Sequence, residues 1–268
     1  MKTRRDFLKL GGVASVGFGV TLSLRPLYAA VGKAGGSQDK PAAAYDPLAH
    51  QWRMVIDIEK CIGCGLCAKA CKKENKVPPE PYYYRTWVER YVIKTPTPGV
   101  SDLRGETLVD SPNGGIDGFP PSPVPVAQVL KSFFVPKLCN ECADSPCSKA
   151  CPVGAAFESP DGVALVDKNY CIGCGFCIQS CPFGCRFLNP ITRCADKCTL
   201  CYHRITKGLR PACVEVCPTG ARIFGDLKSP YPDNPVRSFV KDKKVQVLKP
   251  HLGTNPRVYY AGLDKEVR

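Results

Sequence analysis

Cysteine constrains this chain more than any other residue, through both its number and its spacing. Eighteen of the 268 residues are Cys. This is far above ordinary use, so the thiols must either cross-link the chain or hold metal. Sixteen of them fall into four groups with short, regular intervals. The groups are Cys61-x2-Cys64-x2-Cys67-x3-Cys71, Cys139-x2-Cys142-x4-Cys147-x3-Cys151, Cys171-x2-Cys174-x2-Cys177-x3-Cys181 and Cys198-x2-Cys201-x11-Cys213-x3-Cys217.

The first and third groups follow the bacterial ferredoxin spacing, except that Lys72 replaces proline after the first group. Three Cys at x2 intervals lie on one tight loop and can reach three corners of an iron–sulfur cube. The fourth Cys sits on the following helix and ligates the cube of a partner group. Four groups therefore predict four [4Fe–4S] clusters. We also expect the positive charge of Lys72 to raise the potential of the nearby cube.

Zinc and disulfides are the alternatives for a cysteine-rich chain. Structural zinc takes its ligands from two separated Cys pairs, which the compact runs at 61–71 and 171–181 do not offer. Close Cys-x2-Cys neighbours seldom have the geometry of a disulfide. Both alternatives are disfavoured for the sixteen grouped Cys.

Cys185 and Cys194 remain outside the groups and flank an Asn189-Pro190 turn. We expect two short strands around this turn, across which the two thiols could face each other. A disulfide and two free thiols are both open possibilities.

An internal repeat indicates two similar halves. Glu59-Lys60-Cys61-Ile62-Gly63-Cys64-Gly65-Leu66-Cys67 recurs as Asn169-Tyr170-Cys171-Ile172-Gly173-Cys174-Gly175-Phe176-Cys177. Each copy follows a strand-like run, 52–58 and 163–167. We predict an α+β fold of two ferredoxin-like units with long loop insertions. Each unit consists of a strand, a cluster loop, a short helix and a return strand, in that order. The clusters replace much of the apolar core, so little stable fold is expected without iron.

The N-terminal residues have the pattern of an export signal. Thr3-Arg4-Arg5-Asp6-Phe7-Leu8-Lys9 precedes an apolar stretch from Leu10 to Leu24, as in twin-arginine signals. That route carries folded cargo, which suits clusters assembled in the cytosol. We therefore predict an extracytoplasmic protein on the periplasmic face of the membrane.

The formal net charge of +13 suggests an anionic partner such as nucleic acid. Five of these positive charges and one negative charge lie in residues 1–30, which leaves +9 for the remainder. Four cubes with thiolate ligands bring about −8. The basic side chains thus mostly balance the clusters, and we predict no nucleic-acid binding.

In its motifs the chain resembles the iron–sulfur electron-transfer subunits of the polysulfide/dimethyl-sulfoxide reductase class. The resemblance covers roughly residues 52–262 and extends to the exported nitrite-reductase C-type, tetrathionate-reductase B-type and sulfite-reductase-associated O-type members. Besides the four groups, its motifs are Lys197-Cys198-Thr199-Leu200-Cys201, Arg210-Pro211-Ala212-Cys213-Val214-Glu215-Val216-Cys217-Pro218, Phe224-Gly225-Asp226-Leu227 and Gly253-Thr254-Asn255-Pro256-Arg257-Val258-Tyr259-Tyr260.

The resemblance implies which Cys share a cube. The implied sets are Cys61, Cys64, Cys67 and Cys217; Cys71, Cys198, Cys201 and Cys213; Cys139, Cys142, Cys147 and Cys181; and Cys151, Cys171, Cys174 and Cys177. The domain prediction follows: signal 1–30, linker 31–50, one ferredoxin-like unit from 51–94 plus 186–227, insertion loop 95–138, a second unit 139–185, and an extended C-terminal tail 228–268.

The same resemblance implies a non-catalytic subunit that carries electrons between two partners. One is a polytopic, quinol-reactive membrane subunit, and the other is a molybdopterin catalytic subunit or a multihaem cytochrome. A self-sufficient iron–sulfur reductase is the alternative, but sixteen ligands for four cubes leave no open iron position. The sequence also lacks a phosphate loop, a nucleophile elbow and a dinucleotide fingerprint.

Overall fold

Residues 45–80, 82–96, 106–230 and 234–267 are described by the structure, a computed structural model. The predicted twin-arginine signal lies outside these residues, as does most of the predicted linker. The described strands are β1 Trp52–Asp57, β2 Thr86–Lys94, β3 Thr107–Asp110, β4 Val129–Leu138, β5 Ala156–Glu158, β6 Ala164–Val166, β7 Phe187–Leu188, β8 Ala195–Asp196, β9 Arg222–Asp226, β10 Val245–Gln246 and β11 Val258–Ala261. The α-helices are α1 Leu66–Asn75, α2 Pro146–Lys149, α3 Phe176–Gln179, α4 Tyr202–Ile205, α5 Ala212–Glu215 and α6 Pro235–Asp242.

The largest sheet has the strand order β10-β11-β1-β9. Its inner strand β1 pairs antiparallel with β9 and parallel with β11. Met54, Val55 and Ile56 are fully buried, as expected for a strand covered on both faces. Because β9 follows the fourth cysteine group, this sheet joins the N-terminal group to the last one.

A second sheet, of order β3-β2-β4, occupies much of the predicted insertion. The loop predicted at 95–138 is therefore partly wrong, since β3 and the ten-residue β4 lie within it. Pro136 lies within β4, an edge strand, where a missing backbone donor is tolerated. The sheet lies over the first cysteine loop: an ideal Cβ on Gly63 would come within 2.5 Å of the Phe134 ring.

Two short hairpins flank the third cysteine group. β5 pairs with β6, and β7 pairs with β8. Helices α1 and α3 each begin directly after a repeat glycine, Gly65 and Gly175, in left-handed conformation. The fold is α+β and ferredoxin-like, as the sequence predicts.

The C-terminal residues are not simply an extended tail, because they contain α6, β10 and β11. Before β11 the chain runs beside the second cysteine group, where Arg257 N donates to the Asn140 carbonyl at 2.8 Å. Ala143 N likewise donates to the Asn255 carbonyl at 2.9 Å. None of the helices in the described part of the chain combines the length and apolar composition that a bilayer crossing requires.

Candidate functional site

All sixteen grouped cysteines lie in the described residues, on loops or within the helices α1, α2, α3 and α5. One backbone feature is common to the four loops: the residue just before the second Cys of each group has positive φ. These residues are Gly63, Glu141, Gly173 and Leu200, with φ between 45° and 70°. A left-handed residue turns the chain sharply, which lets successive thiols point to one side.

Site A is formed by the thiols of Cys61, Cys64, Cys67 and Cys217. These residues line one cavity, together with Arg222. Cys64 is exposed, whereas Cys67 is buried. The structure thus brings the fourth Cys of the last group to the loop of the first group.

Site D is the corresponding site in the second half, with Cys151, Cys171, Cys174 and Cys177. They also line one cavity. Cys174 is exposed. Backbone donors point at two of the sulfurs, from Ala156 N to Cys151 and from Ala195 N to Cys171, both at 3.4 Å.

Site B contains Cys71, Cys198, Cys201 and Cys213, all buried. The Cys71 thiol faces the other three, and its pKa is raised well above its ordinary value by burial and then by these neighbours. The Asn75 amide lies 3.4 Å from the Cys71 sulfur and 3.6 Å from that of Cys201.

Site C contains Cys139, Cys142, Cys147 and Cys181. Burial raises the pKa of Cys142 to about 11, and the neighbouring thiols of Cys147 and Cys181 add to this rise. Burial likewise raises the pKa of Cys139. The four sites thus group the thiols as the family resemblance implies, although ligation by these sixteen residues stays a prediction.

The side chains around the sites show what the thiols could hold. Among the described residues, no three His, Cys, Asp or Glu side chains are arranged to hold one metal ion. Two buried guanidinium groups lie among the thiols with donors that no described oxygen accepts: Nε, Nη1 and Nη2 of Arg186 and Nη1 of Arg222. Buried donors require acceptors, and the sulfides and thiolates of a cubane cluster would supply them. The side chains therefore fit the clusters that the cysteine spacing predicts.

Cys185 and Cys194 are both free thiols. In the β7–β8 hairpin each of them lies opposite a different residue. Cys194 faces Asn189, whose backbone N donates to the Cys194 carbonyl. Phe187 pairs with Asp196, so the register carries Cys185 toward Cys198. The expectation that the two thiols face each other is wrong.

Each of these thiols instead lies next to a predicted cluster ligand. A hydrogen bond with Cys185 and backbone donors lower the pKa of Cys181 to about 5, and Cys194 lies beside Cys171. The Cys185 thiol can also donate to the Leu138 carbonyl, 3.0 Å away.

The Lys72 amino group points at backbone oxygens. It donates to the carbonyls of Pro78, Pro79 and Glu80 at 2.9–3.2 Å and lies 4.4 Å from the centre of the Tyr84 ring. Its predicted effect on the potential of the nearby cube stays a prediction. A redox titration of Lys72→Gln with every midpoint unchanged would refute it.

Sequence reasoning missed the buried cations. Arg186 and Arg222 are 4% and 3% exposed, and each stands five residues after the last Cys of its group. Their sequences, Cys181-Pro-x-Gly-x-Arg and Cys217-Pro-x-Gly-x-Arg, could have revealed them as a repeated feature. After the second group, Ala156 occupies the same position.

Two family models match the chain. A 4Fe-4S dicluster domain matches residues 130–227, and a 4Fe-4S binding domain matches residues 52–73. The residues of all four sites fall within these two segments.

Comparison with whole proteins gives relatives among reductase subunits. The chain is 38% identical over 215 residues to the B subunit of tetrathionate reductase from Salmonella typhimurium, covering 80% of this chain and 74% of that one. It is 42% identical over 222 residues to the B subunit of tetrathionate reductase from Archaeoglobus fulgidus, with coverage of 80% and 87%. The B subunit of polysulfide reductase from Wolinella succinogenes is 32% identical over 214 residues, with coverage of 79% and 94%.

Proposed function

The chain belongs to the family of iron–sulfur subunits of polysulfide, tetrathionate and related reductases, and from this membership we propose that it relays electrons through four [4Fe–4S] clusters without transforming a substrate itself. It binds 4Fe-4S clusters through ferredoxin-like domains. The number of clusters, the ligand sets of sites A to D and the two-unit division are parts of the proposal.

The order of the sites carries this proposal. Arg222 faces thiols of sites A and B, since Cys67 and Cys213 are its main electrostatic neighbours. Lys197 faces Cys198 of site B and Cys139 of site C. Arg186 faces Cys147 of site C and Cys177 of site D. The sites therefore adjoin in the order A, B, C, D, as a relay requires.

The two ends of this series reach the surface. Cys64 of site A and Cys174 of site D are exposed, whereas all four Cys of site B are buried. Apolar side chains surround each end: Ile62 is 58% exposed beside Cys64, and Ile172 is 65% exposed beside Cys174. Exposed apolar residues of this kind suit protein docking. We place one partner at each end, a quinol-reactive membrane subunit and a molybdopterin or multihaem cytochrome subunit.

The cluster supplies the redox change, and the chain's own groups set its surroundings. Backbone and amide donors at 3.4–3.6 Å from sulfur, such as Leu200 N to Cys198 and Asn75 to Cys71, favour the more negative reduced state. The buried loops keep water from the inner sites. Hydrogen bonding to the sulfurs and exclusion of water both work without a proton donor or a substrate pocket.

Iron and acid-labile sulfide content, with low-temperature EPR on anaerobic protein, tests the number of clusters. We expect about sixteen iron atoms per chain. Zinc in the purified protein, or iron far below this number, would contradict the relay.

A matched pair of variants tests the ligand sets. Cys217→Ser should remove or alter the cluster of site A alone, and Cys151→Ser that of site D alone. If Cys217→Ser changed the EPR signal that Cys151→Ser also changes, the assignment of fourth ligands would be wrong.

The location of the relay is tested separately. The twin-arginine pair Arg4 and Arg5 supports export in the folded state. We expect Arg4→Lys combined with Arg5→Lys to retain the cluster-loaded protein in the cytoplasmic fraction. Undiminished export of that double variant would contradict the twin-arginine route.

A further inference from the structure

Three buried cations occupy the three gaps between neighbouring sites. Arg222, Lys197 and Arg186 are 3%, 1% and 4% exposed. A charge withdrawn from water is costly unless a partner compensates it. The partners of the three cations differ, and this difference distinguishes the gaps.

Arg222 lies in the gap between sites A and B. One terminal nitrogen donates to the Thr86 hydroxyl at 2.8 Å, and the other has no partner among the described residues. Cys67, Cys213 and Cys61 surround the group, and Tyr260 lies nearby. No described carboxylate forms an ion pair with it, so no acidic side chain neutralises the positive charge in this gap.

Arg186 is the counterpart between sites C and D. Cys147, Cys139 and Cys177 are its electrostatic neighbours, and no oxygen of the described residues accepts a hydrogen bond from its three guanidinium nitrogens. No described carboxylate pairs with this group either. The second ferredoxin-like unit thus repeats the arrangement of the first.

Lys197 lies in the middle gap, and its charge is cancelled. Its amino group is 3.0 Å and 3.3 Å from the two carboxylate oxygens of Glu141 and 2.6 Å from the Cys198 carbonyl. The Glu141 carboxylate also accepts from Ala164 N at 2.7 Å. Arg186 is a further positive neighbour of Lys197. The ion pair itself adds no net charge between sites B and C.

Arginine suits the outer gaps because its guanidinium stays protonated at any physiological pH and presents several donors in a fixed plane. A fixed positive charge favours the reduced form of a neighbouring cluster, which is one electron more negative. Such a charge therefore raises the midpoint potential of that cluster.

We propose that Arg222 and Arg186 are redox-tuning residues, each of which raises the potentials of the two clusters it separates, while the Lys197–Glu141 pair keeps the gap between the two units electrically neutral. The proposal rests on the ligand sets proposed above. Electrons would then be shared easily within a unit, and the step between the units would be set by the central ion pair.

EPR-monitored redox titration of the full, cluster-loaded chain tests the proposal, with site-specific Cys→Ser variants assigning each signal. In Arg222→Gln we expect the midpoints of sites A and B to fall, with sites C and D nearly unchanged. In Arg186→Gln the largest falls should be at sites C and D. Arg222→Lys, which keeps the charge, should restore most of the loss at sites A and B.

Glu141→Gln provides a test of opposite sign, because it leaves the Lys197 charge uncompensated. The midpoints of sites B and C should rise. If an arginine variant fails to load iron, Glu141→Gln still tests the proposal. A fall or no change in Glu141→Gln would overturn the proposal.

Iron content separates this proposal from the proposed function. Wild-type protein without four clusters would refute the relay itself. Four clusters in every variant with unchanged midpoints would refute only the tuning role. An Arg222→Lys variant whose midpoints fall as far as those of Arg222→Gln would also overturn it, since shape rather than charge would then matter.

Discussion

At the scale of single residues, the two copies of the repeat provide matched positions with different surroundings. Gly65 and Gly175 both begin a helix with positive φ, 67° and 79°. An added Cβ at Gly65 would lie 1.7 Å from the Gly115 carbonyl oxygen, whereas one at Gly175 would have no atom within 4 Å. The turn at Gly115, between β3 and β4, thus lies against one cluster loop and leaves the other open.

Gly65→Ala should therefore be more damaging than Gly175→Ala. Both variants incur the strain of positive φ, about 1–2 kcal/mol. Only Gly65→Ala also forces the Gly115 backbone away, which lowers the free energy of unfolding by roughly 1–3 kcal/mol more. Denaturant unfolding of both variants measures the difference, and iron content should fall mainly in Gly65→Ala. Equal losses would show that the 106–116 segment does not press on the loop in solution.

Cys185 offers a second residue-scale prediction. Its thiol is a hydrogen-bond partner of the Cys181 sulfur, and a donor to a cluster sulfur raises the cluster potential. Cys185→Ala should lower the midpoint of the site C cluster, and Cys185→Ser, which keeps a donor, should lower it less. Redox titration of both variants measures this. An unchanged midpoint in Cys185→Ala would mean that the thiol donates to Leu138 O instead.

At the scale of elements, helix α6 depends on one side chain at its start. Asn234 accepts hydrogen bonds from Val236 N and Arg237 N at 3.0 Å and 3.2 Å. Its amide also donates to the Asp226 carbonyl at the end of β9. The residue thus fixes α6 to the strand that follows the last cysteine group.

Asn234→Ala should destabilise the protein by about 1–2 kcal/mol, the usual cost of losing such a cap, with more lost because the bond to Asp226 also disappears. Asn234→Asp keeps the acceptor but not that donor, and should fall between the wild type and the alanine variant. Thermal unfolding of the three proteins measures this order. An alanine variant as stable as the wild type would show that the cap contributes nothing.

Sequence reasoning predicted the local elements around the cysteines better than the elements between them. The strand runs at 52–58 and 163–167 appear as β1 and β6, because strand, loop and helix are fixed there by ligand spacing. The segment from 95 to 138 misled it, because the prolines and glycines at 112–125 indicate a loop and the sequence of β4 does not alternate between apolar and polar residues. The pairing of β1 with β11 joins residues too distant for local patterns to show.

For the candidate sites, too, the sequence predicted some residues and missed others. Spacing located all sixteen predicted ligands, and the family resemblance supplied their grouping. Arg186, Arg222 and the Lys197–Glu141 pair were missed, because a charged residue in a sequence is normally exposed. Only the packing shows that these charges are buried between sites.

At the scale of the whole molecule, iron should account for most of the stability. Structural metal contributes on the order of 10 kcal/mol or more to small domains. Chelation of iron under anaerobic, reducing conditions should lower the unfolding temperature by on the order of tens of degrees. Calorimetry of loaded and iron-free protein measures this. An iron-free chain as stable as the loaded protein would contradict it.

Alkaline pH should weaken the iron-free fold further. Burial raises the pKa of Cys61, Cys142 and Cys213 to about 11 from an ordinary value of 9.0. Folding therefore favours the protonated thiols, and their contribution is full below about pH 9 and is lost as the pH rises through 11. Amide exchange of the iron-free chain between pH 8 and 11 measures this. The loaded protein, with its thiolates on iron, serves as the control.

Because β1 pairs in parallel with β11, the first sheet can be completed only late in synthesis. β1 leaves the ribosome near the beginning of translation, yet its neighbour in the sheet emerges only after every cysteine group has been made. Until then β1 has an open edge, and unpaired edges invite wrong partners. The completion of the first sheet must therefore be a late event, and a nascent chain halted before residue 258 would leave β1 without its parallel neighbour β11.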